Sequence, residues 1–227
     1  MQKRKFCKIG TVLLSGLCSH SVIAGTMGES PTYSYVASIS AGAAWEQGGE
    51  TWTFYLTPQI IKTYVPNKSS SALADAEIFL GIQKILSTFF QGQLGIAISA
   101  TSNASLDGHI WDDADPAFNN YIYRYKVQHT HVALKGKLLA DNGYFVIPWI
   151  SGSVGAGFNH AHQFTNTPTI PEAEVNENYP SRTQAAFTYT VGAGIQRAIN
   201  ENWQVGLGYE FADWGNSMFH RAASQTL

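Results

Sequence analysis

The chain has 227 residues, of which 44% are hydrophobic, 13% aromatic and 13% charged. The charged fraction is well below the roughly 25% that is usual for a soluble domain, and the many aromatic residues exclude a disordered chain. Beyond the N-terminus no stretch approaches the ~18 to 20 apolar residues that a membrane-spanning helix needs, so a helical membrane protein is excluded as well. Abundant aromatic residues with few charges favour β-structure.

Residues 1–24 have the pattern of a secretory signal peptide. Four basic residues lie within the first eight positions, a mostly apolar segment spans 9–18, and small or compact residues end at Ala24. A basic start, a short apolar core and a small-residue cleavage site identify such signals. We therefore expect export, cleavage after Ala24 and one domain over residues 25–227.

Export would change the charge and the cysteine content. Four of the 14 Lys and Arg residues lie in 1–24 and none of the 16 Asp and Glu residues do, which leaves 10 basic against 16 acidic residues. No basic surface for nucleic acid is therefore expected. Cys7 and Cys18 both lie in the segment expected to be removed, so disulfides and cysteine chemistry are not expected.

Alternating apolar and polar side chains predict seven strands. In the clearest case, the odd positions carry Phe187, Tyr189 and Val191, whereas the even positions carry Thr, Gly, Gln or Ala. The predicted strands span residues 35–46, 76–86, 91–101, 121–139, 144–159, 184–199 and 203–213.

The fourth predicted strand changes phase. Its apolar residues occupy odd positions at Tyr121, Tyr123 and Tyr125, and even positions later, at Val132 and Leu134. One extra residue would restore a single apolar face, so we predict a β-bulge within residues 128–131.

The connections between the predicted strands alternate in length. Residues 47–75, 102–120 and 160–183 are long, whereas 87–90, 140–143 and 200–202 are short, and Asp-Asn-Gly at 141–143 is typical of a hairpin turn. An up-and-down membrane barrel has short periplasmic turns and long outer loops. The alternation favours such a barrel over a soluble β-sandwich or lipocalin-like barrel, which is the open alternative.

The two faces of the strands support the same interpretation. One face carries mainly Ser, Thr, Gln and Gly, with occasional charges such as Glu77, Glu210, Arg124 and Lys126, and suits a narrow polar interior. The other face is apolar and suits lipid. Bulky rings near strand ends are typical of the girdles at the two bilayer surfaces, and they are Trp45, Tyr121, Tyr123, Tyr144, Phe158, Phe187 and Trp203.

The signal peptide, GLGYEF at 206–211, GSVGAGF at 152–158 and the turn at 140–143 carry a family resemblance. The chain resembles the small eight-stranded outer-membrane β-barrels of Gram-negative bacteria, the opacity-type and outer-membrane-protein-A-like group. The resemblance implies an all-β, antiparallel up-and-down transmembrane barrel in the cell outer membrane. It also implies contact with outer-membrane lipid, lipopolysaccharide and the barrel assembly machinery.

Members of that group usually end in a closing strand with a terminal aromatic residue, whereas this chain ends in Gln-Thr-Leu. We therefore expect the eighth strand to be absent from this chain. A strand hidden at 51–57 is the alternative, but we favour a rim extension or loop hairpin over residues 51–65.

Two His-x-His pairs could each place two imidazoles on one face of a strand. They are His129 with His131, in the predicted bulge, and His160 with His162, where the fifth strand is expected to enter a loop. Neither pair has a third ligand nearby in sequence, so no metal or other cofactor is expected.

A catalytic alternative uses Ser151 or Ser153, His131 and Glu210. If the turn is centred at 141–142, His131 lies opposite one of these serines, as in a lipid-acting serine hydrolase. No nucleophile-elbow motif supports this hypothesis, so no catalytic residue is expected.

The long connections carry acidic residues without the spacing of a calcium loop. Solvated acidic loops are the favoured interpretation, with weak calcium bridging to lipopolysaccharide phosphates as an alternative. The residues are Asp107, Asp112, Asp113, Asp115, Glu172, Glu174 and Glu177.

The sequence therefore favours a non-enzymatic outer-membrane barrel whose loops serve adhesion, host contact or envelope support. A lipid-modifying hydrolase and a small porin are the alternatives. An eight-stranded barrel has an interior that side chains just fill, which makes solute flux the less favoured role.

Overall fold

The computed structural model describes residues 16–17, 33–45, 49–57, 60–67, 72–173, 178–215 and 217. Most of the expected signal peptide lies outside these residues. The described residues form β-strands and one 3₁₀ turn, Pro116–Phe118. The strands are β1 (Gly16–Leu17), β2 (Tyr33–Trp45), β3 (Trp52–Thr57), β4 (Ile60–Pro66), β5 (Ala72–Ile85), β6 (Phe90–Thr101), β7 (Ala104–Asp112), β8 (Asn119–Ala140), β9 (Ile147–Pro168), β10 (Arg182–Ala198) and β11 (Gln204–Asp213).

Seven strands form an antiparallel meander in the order β2-β5-β6-β8-β9-β10-β11, and this sheet curls into a half-barrel. Three short connections, 86–89, 141–146 and 199–203, lie at one end of the sheet. The predicted all-β, up-and-down architecture with seven strands is confirmed. Within the described residues, no helix has the length and apolar character needed to cross a membrane.

One short segment touches both edge strands of the half-barrel, β2 and β11. The short strand β1 pairs with β2 opposite Ser38 and Ile39, and it also contacts β11.

At the end of the sheet opposite the short connections, further strand pairing extends beyond the half-barrel. There β4 pairs with β7 in the same antiparallel way as β5 pairs with β6 in the half-barrel. β3 forms a hairpin with β4. The rim hairpin predicted at 51–65 is therefore confirmed. The prediction that 102–120 and 160–183 are loops is wrong in large part, because β7 and the ends of β8 and β9 fill much of them with strand.

We name two tiers. The lower tier comprises β2, β5, β6, β10 and β11 with residues 130–140 of β8 and 147–159 of β9. The upper tier comprises β3, β4 and β7 with residues 119–127 of β8 and 161–168 of β9.

The outer face of the lower tier is apolar, and cross-strand register aligns its side chains in rows. The members other than the alanines are all more than one-third exposed. One row contains Ala37, Leu80, Ile96, Leu134, Val154 and Tyr189, and the next contains Ile39, Ile78, Ile98, Val132, Ala156 and Phe187. We call these rows the apolar belt.

The inner face of the lower tier is polar or small. One inner row runs through Ser40, Glu77, Ser99, His131 and Gly157, all of them buried. Apolar residues outside and polar residues inside are the reverse of a water-soluble sheet packed on a core.

The upper tier has the opposite arrangement. In β8, Tyr121, Tyr123 and Tyr125 point inward and are buried, whereas Arg124 and Lys126 lie on the outer face. The expectation that Arg124 and Lys126 face a polar interior is therefore wrong.

The predicted β-bulge at 128–131 is also wrong. Odd positions of β8 stay on the inner face from Tyr121 to Leu139, pairing with β9 is regular through 128–131, and pairing with β6 is regular at 130 and 131. The apolar residues move from odd to even positions because the apolar surroundings lie on the inner face of β8 in the upper tier and on its outer face in the lower tier. The alternation of side chains along the strand is unbroken.

A bulge does occur, but in β9. Arg124 pairs with Thr165 and Lys126 pairs with His162, so two residues of β9 oppose one of β8. Gln163 adopts a positive φ of 54°, which is uncommon for a residue with a side chain. The bulge moves Phe164 onto the inner face, next to the tyrosines of β8.

Five of the seven aromatic residues predicted near the bilayer surfaces are exposed: Trp45, Tyr144, Phe158, Phe187 and Trp203. The prediction is wrong for Tyr121 and Tyr123, which are 3% and 5% exposed. These two rings lie on the inner face of the upper tier, because β8 has no bulge to turn them outward.

Candidate functional site

A buried ion cluster joins three strands across the interior of the lower tier. Lys135 on β8 is 7% exposed, and its Nζ donates to Glu77 Oε1 and Oε2 at 2.7 and 2.9 Å. The same Nζ donates to Glu210 Oε2 on β11 at 2.8 Å. Buried charges need such partners, because an unpaired charge in a low dielectric is strongly unfavourable.

A cavity of about 30 Å³ adjoins this cluster, between Ser40, Gln93 and Ser151. That volume holds about one or two water molecules. Side chains therefore occupy most of the space beside this cluster.

Amides continue the polar interior towards the short-connection end. Gln93 Nε2 donates to Gln83 Oε1 at 2.7 Å, and Gln83 Nε2 donates to Gln91 Oε1 at 2.9 Å. Gln91 Nε2 in turn donates to Asp141 Oδ2 at 3.2 Å. The glutamines of the polar face thus bond to one another inside the half-barrel.

The first histidine pair lies inside, where the two tiers meet. His129 Nδ1 lies 2.7 Å from Asn159 Oδ1, and His129 Nε2 lies 3.1 Å from His131 Nδ1. The ring of Trp214 stacks on His129 with centroids 4.5 Å apart. These contacts hold His129 as a packed interior side chain on a regular strand.

The proposed catalytic set is not assembled. The turn spans 141–146, so β8 and β9 pair with His131 opposite Gly157 and with Ser153 opposite Lys135. Ser153 Oγ lies 2.8 Å from Thr190 Oγ1, and the Glu210 carboxylate binds Lys135. The premise that His131 faces Ser151 or Ser153 is wrong, because the turn is longer than the Asp-Asn-Gly motif indicates.

The second histidine pair lies within β9, which continues past the predicted loop boundary. His160 and His162 face outward, with rings stacked 4.8 Å apart, and His160 Nδ1 lies 2.8 Å from Thr183 Oγ1. Among the residues that the structure describes, no group of three or more His, Cys, Asp or Glu side chains could hold a metal ion.

Several of the acidic residues have structural partners. Asp112 accepts a hydrogen bond from Asn120 Nδ2 at 2.7 Å and pairs with Lys62 Nζ at 3.1 Å. Asp107 accepts from Asn67 Nδ2 at 2.6 Å, and Asp115 caps the 3₁₀ turn. Asp113 and Glu172 are exposed, whereas Glu174 and Glu177 lie outside the described residues.

The inner face of the upper tier carries an aromatic cluster that the sequence interpretation missed. Tyr123 stacks on Phe164 with centroids 6.1 Å apart, and Tyr64 of the rim hairpin lies 5.4 Å from Tyr123. Tyr179, from the β9–β10 connection, packs edge-on against Phe164 at 4.8 Å. Strands and a connection that are distant in sequence thus share one apolar core.

Within this cluster the hydroxyls of Tyr64 and Tyr179 lie 3.1 Å apart. Burial raises the pKa of Tyr64, and the neighbouring Tyr179 hydroxyl raises it further. Tyr64 therefore stays neutral and serves as a packing and hydrogen-bonding group.

Comparison with known proteins adds no relative: no family model, no curated protein and no solved structure matches this chain.

Proposed function

We propose that this chain is an integral outer-membrane β-barrel protein of the opacity-type and outer-membrane-protein-A-like kind. Its upper tier and long connections stand outside the cell and present a surface for adhesion or host contact, without enzymatic activity. The lower tier lies in the membrane, with its short connections in the periplasm.

The observation that carries the proposal is a polarity boundary at one level of three neighbouring strands, β8, β9 and β10. Ala100, Thr130, Phe158 and Ala185 form one row across β6, β8, β9 and β10. Below this row the outer side chains are those of the apolar belt.

Directly above that row, the outer positions of β8, β9 and β10 are Gln128, His160 and Thr183. Three strands thus change from apolar to polar on their outer face at the same level of the sheet. A shared boundary between hydrocarbon and water explains this alignment, since outer-membrane barrels carry an outward apolar band flanked by polar regions.

The filled interior weighs against the two alternative functions. The Lys135 cluster bridges β5, β8 and β11 where a porin would need open water. Ser153 is hydrogen bonded to Thr190 rather than to a histidine, and His131 lies opposite Gly157, so the pairing that would activate Ser153 is not formed.

Single-cysteine labelling in intact cells tests the proposal, because residues 25–227 contain no cysteine. A membrane-impermeant maleimide should label Arg124→Cys directly and Asn142→Cys only after the outer membrane is permeabilised. Leu134→Cys should react only with a lipid-soluble maleimide.

Recovery of the exported protein in the soluble fraction without detergent would overturn the proposal. Equal labelling of Leu134→Cys and Arg124→Cys by the impermeant reagent would overturn it as well, since lipid should cover only the first site.

A further inference from the structure

A basic group lies on the outer face immediately above the apolar belt. It comprises Arg124 and Lys126 of β8 with His160 and His162 of β9, and we call it the basic patch. Arg124 is exposed and the other three are half-buried. All four face outward, because their neighbours along each strand, such as Tyr125 and Ala161, are buried on the inner face.

Pairing of β8 with β9 brings these side chains together. Lys126 is directly opposite His162, and Gln128 is directly opposite His160. Adjacent strands lie about 4.8 Å apart and every second residue is about 6.6 Å away along a strand, so the side chains of the patch are close enough for two or more of them to contact one phosphate group.

The cations of the basic patch are available to a ligand. Within the described part of the chain, neither Arg124 nor Lys126 forms an ion pair, whereas Lys62 pairs with Asp112 and Lys135 pairs with Glu77. The acidic neighbour on the same face is Asp107, opposite Arg124 on β7, and its carboxylate accepts a hydrogen bond from Asn67.

The position of the basic patch relative to the apolar belt indicates which phosphate-bearing molecule lies beside it. Phe158, in the row directly above the apolar belt, lies two residues from His160 on the same face of β9, which is about 7 Å. In the orientation proposed above, this is the level at which the outer leaflet presents its phosphorylated sugars. Arginine and lysine bind phosphate through charge-assisted hydrogen bonds, and a neutral imidazole still donates one N–H.

We propose that the basic patch binds a phosphate group of lipopolysaccharide in the outer leaflet. This inference rests on the proposed membrane location and adds to it a specific lipid contact.

The test compares the lipid retained by three forms of the full chain purified from outer membranes. The patch variant carries Arg124→Gln, Lys126→Gln, His160→Gln and His162→Gln. The control variant carries Lys84→Gln and Arg197→Gln, which remove the same number of permanent charges from the short-connection end of the outer face.

Native mass spectrometry counts the lipopolysaccharide molecules bound per protein after detergent washing. We expect the patch variant to bind lipopolysaccharide about tenfold more weakly, a loss of about 1.4 kcal/mol, because it lacks two exposed charge contacts and two imidazole donors. The control variant, and a swap of Arg124→Lys with Lys126→Arg, should retain as much as the natural chain. Dephosphorylated lipopolysaccharide should bind the natural chain as weakly as the patch variant binds the phosphorylated form.

Equal retention by the patch variant, with heat-dependent gel mobility showing that it is folded, would overturn the inference and leave the membrane location intact. Displacement of the lipid by inorganic phosphate alone would also overturn it, by identifying a simple anion site. A natural chain found outside the membrane would remove the proposed function, and this inference with it.

Discussion

Replacing Leu134 by arginine places a charge in the middle of the apolar belt. The leucine is 50% exposed on the outer face of β8, between Ile96 at 48% and Val154 at 52%. In water such a substitution on an exposed face changes the free energy of unfolding by only about 0.5 kcal/mol. In hydrocarbon, by contrast, the guanidinium loses its hydration, and its partners on the two adjacent strands, Ile96 and Val154, are apolar.

The geometry of β8 sets the size of the effect. From Leu134 the first polar position above the boundary row is Gln128, about 20 Å away along the strand at ~3.3 Å per residue. An arginine side chain is too short to bring its charge that far. We therefore expect Leu134→Arg to lower the free energy of unfolding by about 2 to 4 kcal/mol, the range for arginine at the midplane of a membrane barrel.

Urea titration of protein folded in phospholipid vesicles measures this change, with the heat-dependent gel shift reporting the folded fraction. Gln128→Arg is the matched control, because it adds the same side chain to the same face of β8 at the level of the bilayer surface. Its cost should be about 0 to 1 kcal/mol. If Leu134→Arg and Gln128→Arg cost the same, the apolar belt does not face lipid and the reasoning fails.

Three further changes test the interior and the bulge. Lys135→Met should lower the free energy of unfolding by about 3 to 5 kcal/mol, because two buried carboxylates lose their cation. The exposed control Lys84→Met should change the free energy of unfolding in urea by no more than ~0.5 kcal/mol. Equal urea midpoints for the two variants would contradict the ion cluster. Gly95→Ala should abolish the folded gel band, because its Cβ would overlap the Leu80 carbonyl oxygen of β5, whereas Gly136→Ala, with its nearest atom at 3.9 Å, should fold normally. Gln163→Gly should raise the free energy of unfolding by up to about 1 kcal/mol by relieving the positive φ, and a lower urea midpoint would contradict this.

Alternation was sufficient to predict the lower tier. A strand with one face in contact with the interior repeats every two residues, and seven such segments separated by alternating connections permit few arrangements other than a meander. The polar face also located Glu77 and Glu210 on the inner side. It could not show that both bind Lys135, because the three residues are brought together only by pairing of strands distant in sequence.

The register of the β8–β9 hairpin was not available from local sequence. Asp141, Asn142 and Gly143 are typical of a tight turn, but the connection extends to residue 146 and includes exposed Tyr144 and Phe145. A turn motif indicates where the chain reverses without fixing the loop length. Each additional loop residue displaces the facing strand, which is why Ser153 lies opposite Lys135 instead of His131.

The inner and outer faces of the upper tier could not be predicted from the sequence, for a more general reason. Periodicity separates the two faces of a strand, but it does not say which face is inside, because that depends on what surrounds each face. From Tyr121 to Val127 the apolar side chains pack inward against Phe164 and Leu106, and from Val132 to Leu138 they face outward. A bulge and a change of surroundings both move the apolar residues of a strand from odd to even positions. Only the pairing with strands distant in sequence distinguishes the two causes. In β8 the side chains keep their alternation and the pairing with β9 is regular through residues 128–131, so a change in the surroundings of the two faces accounts for the shift.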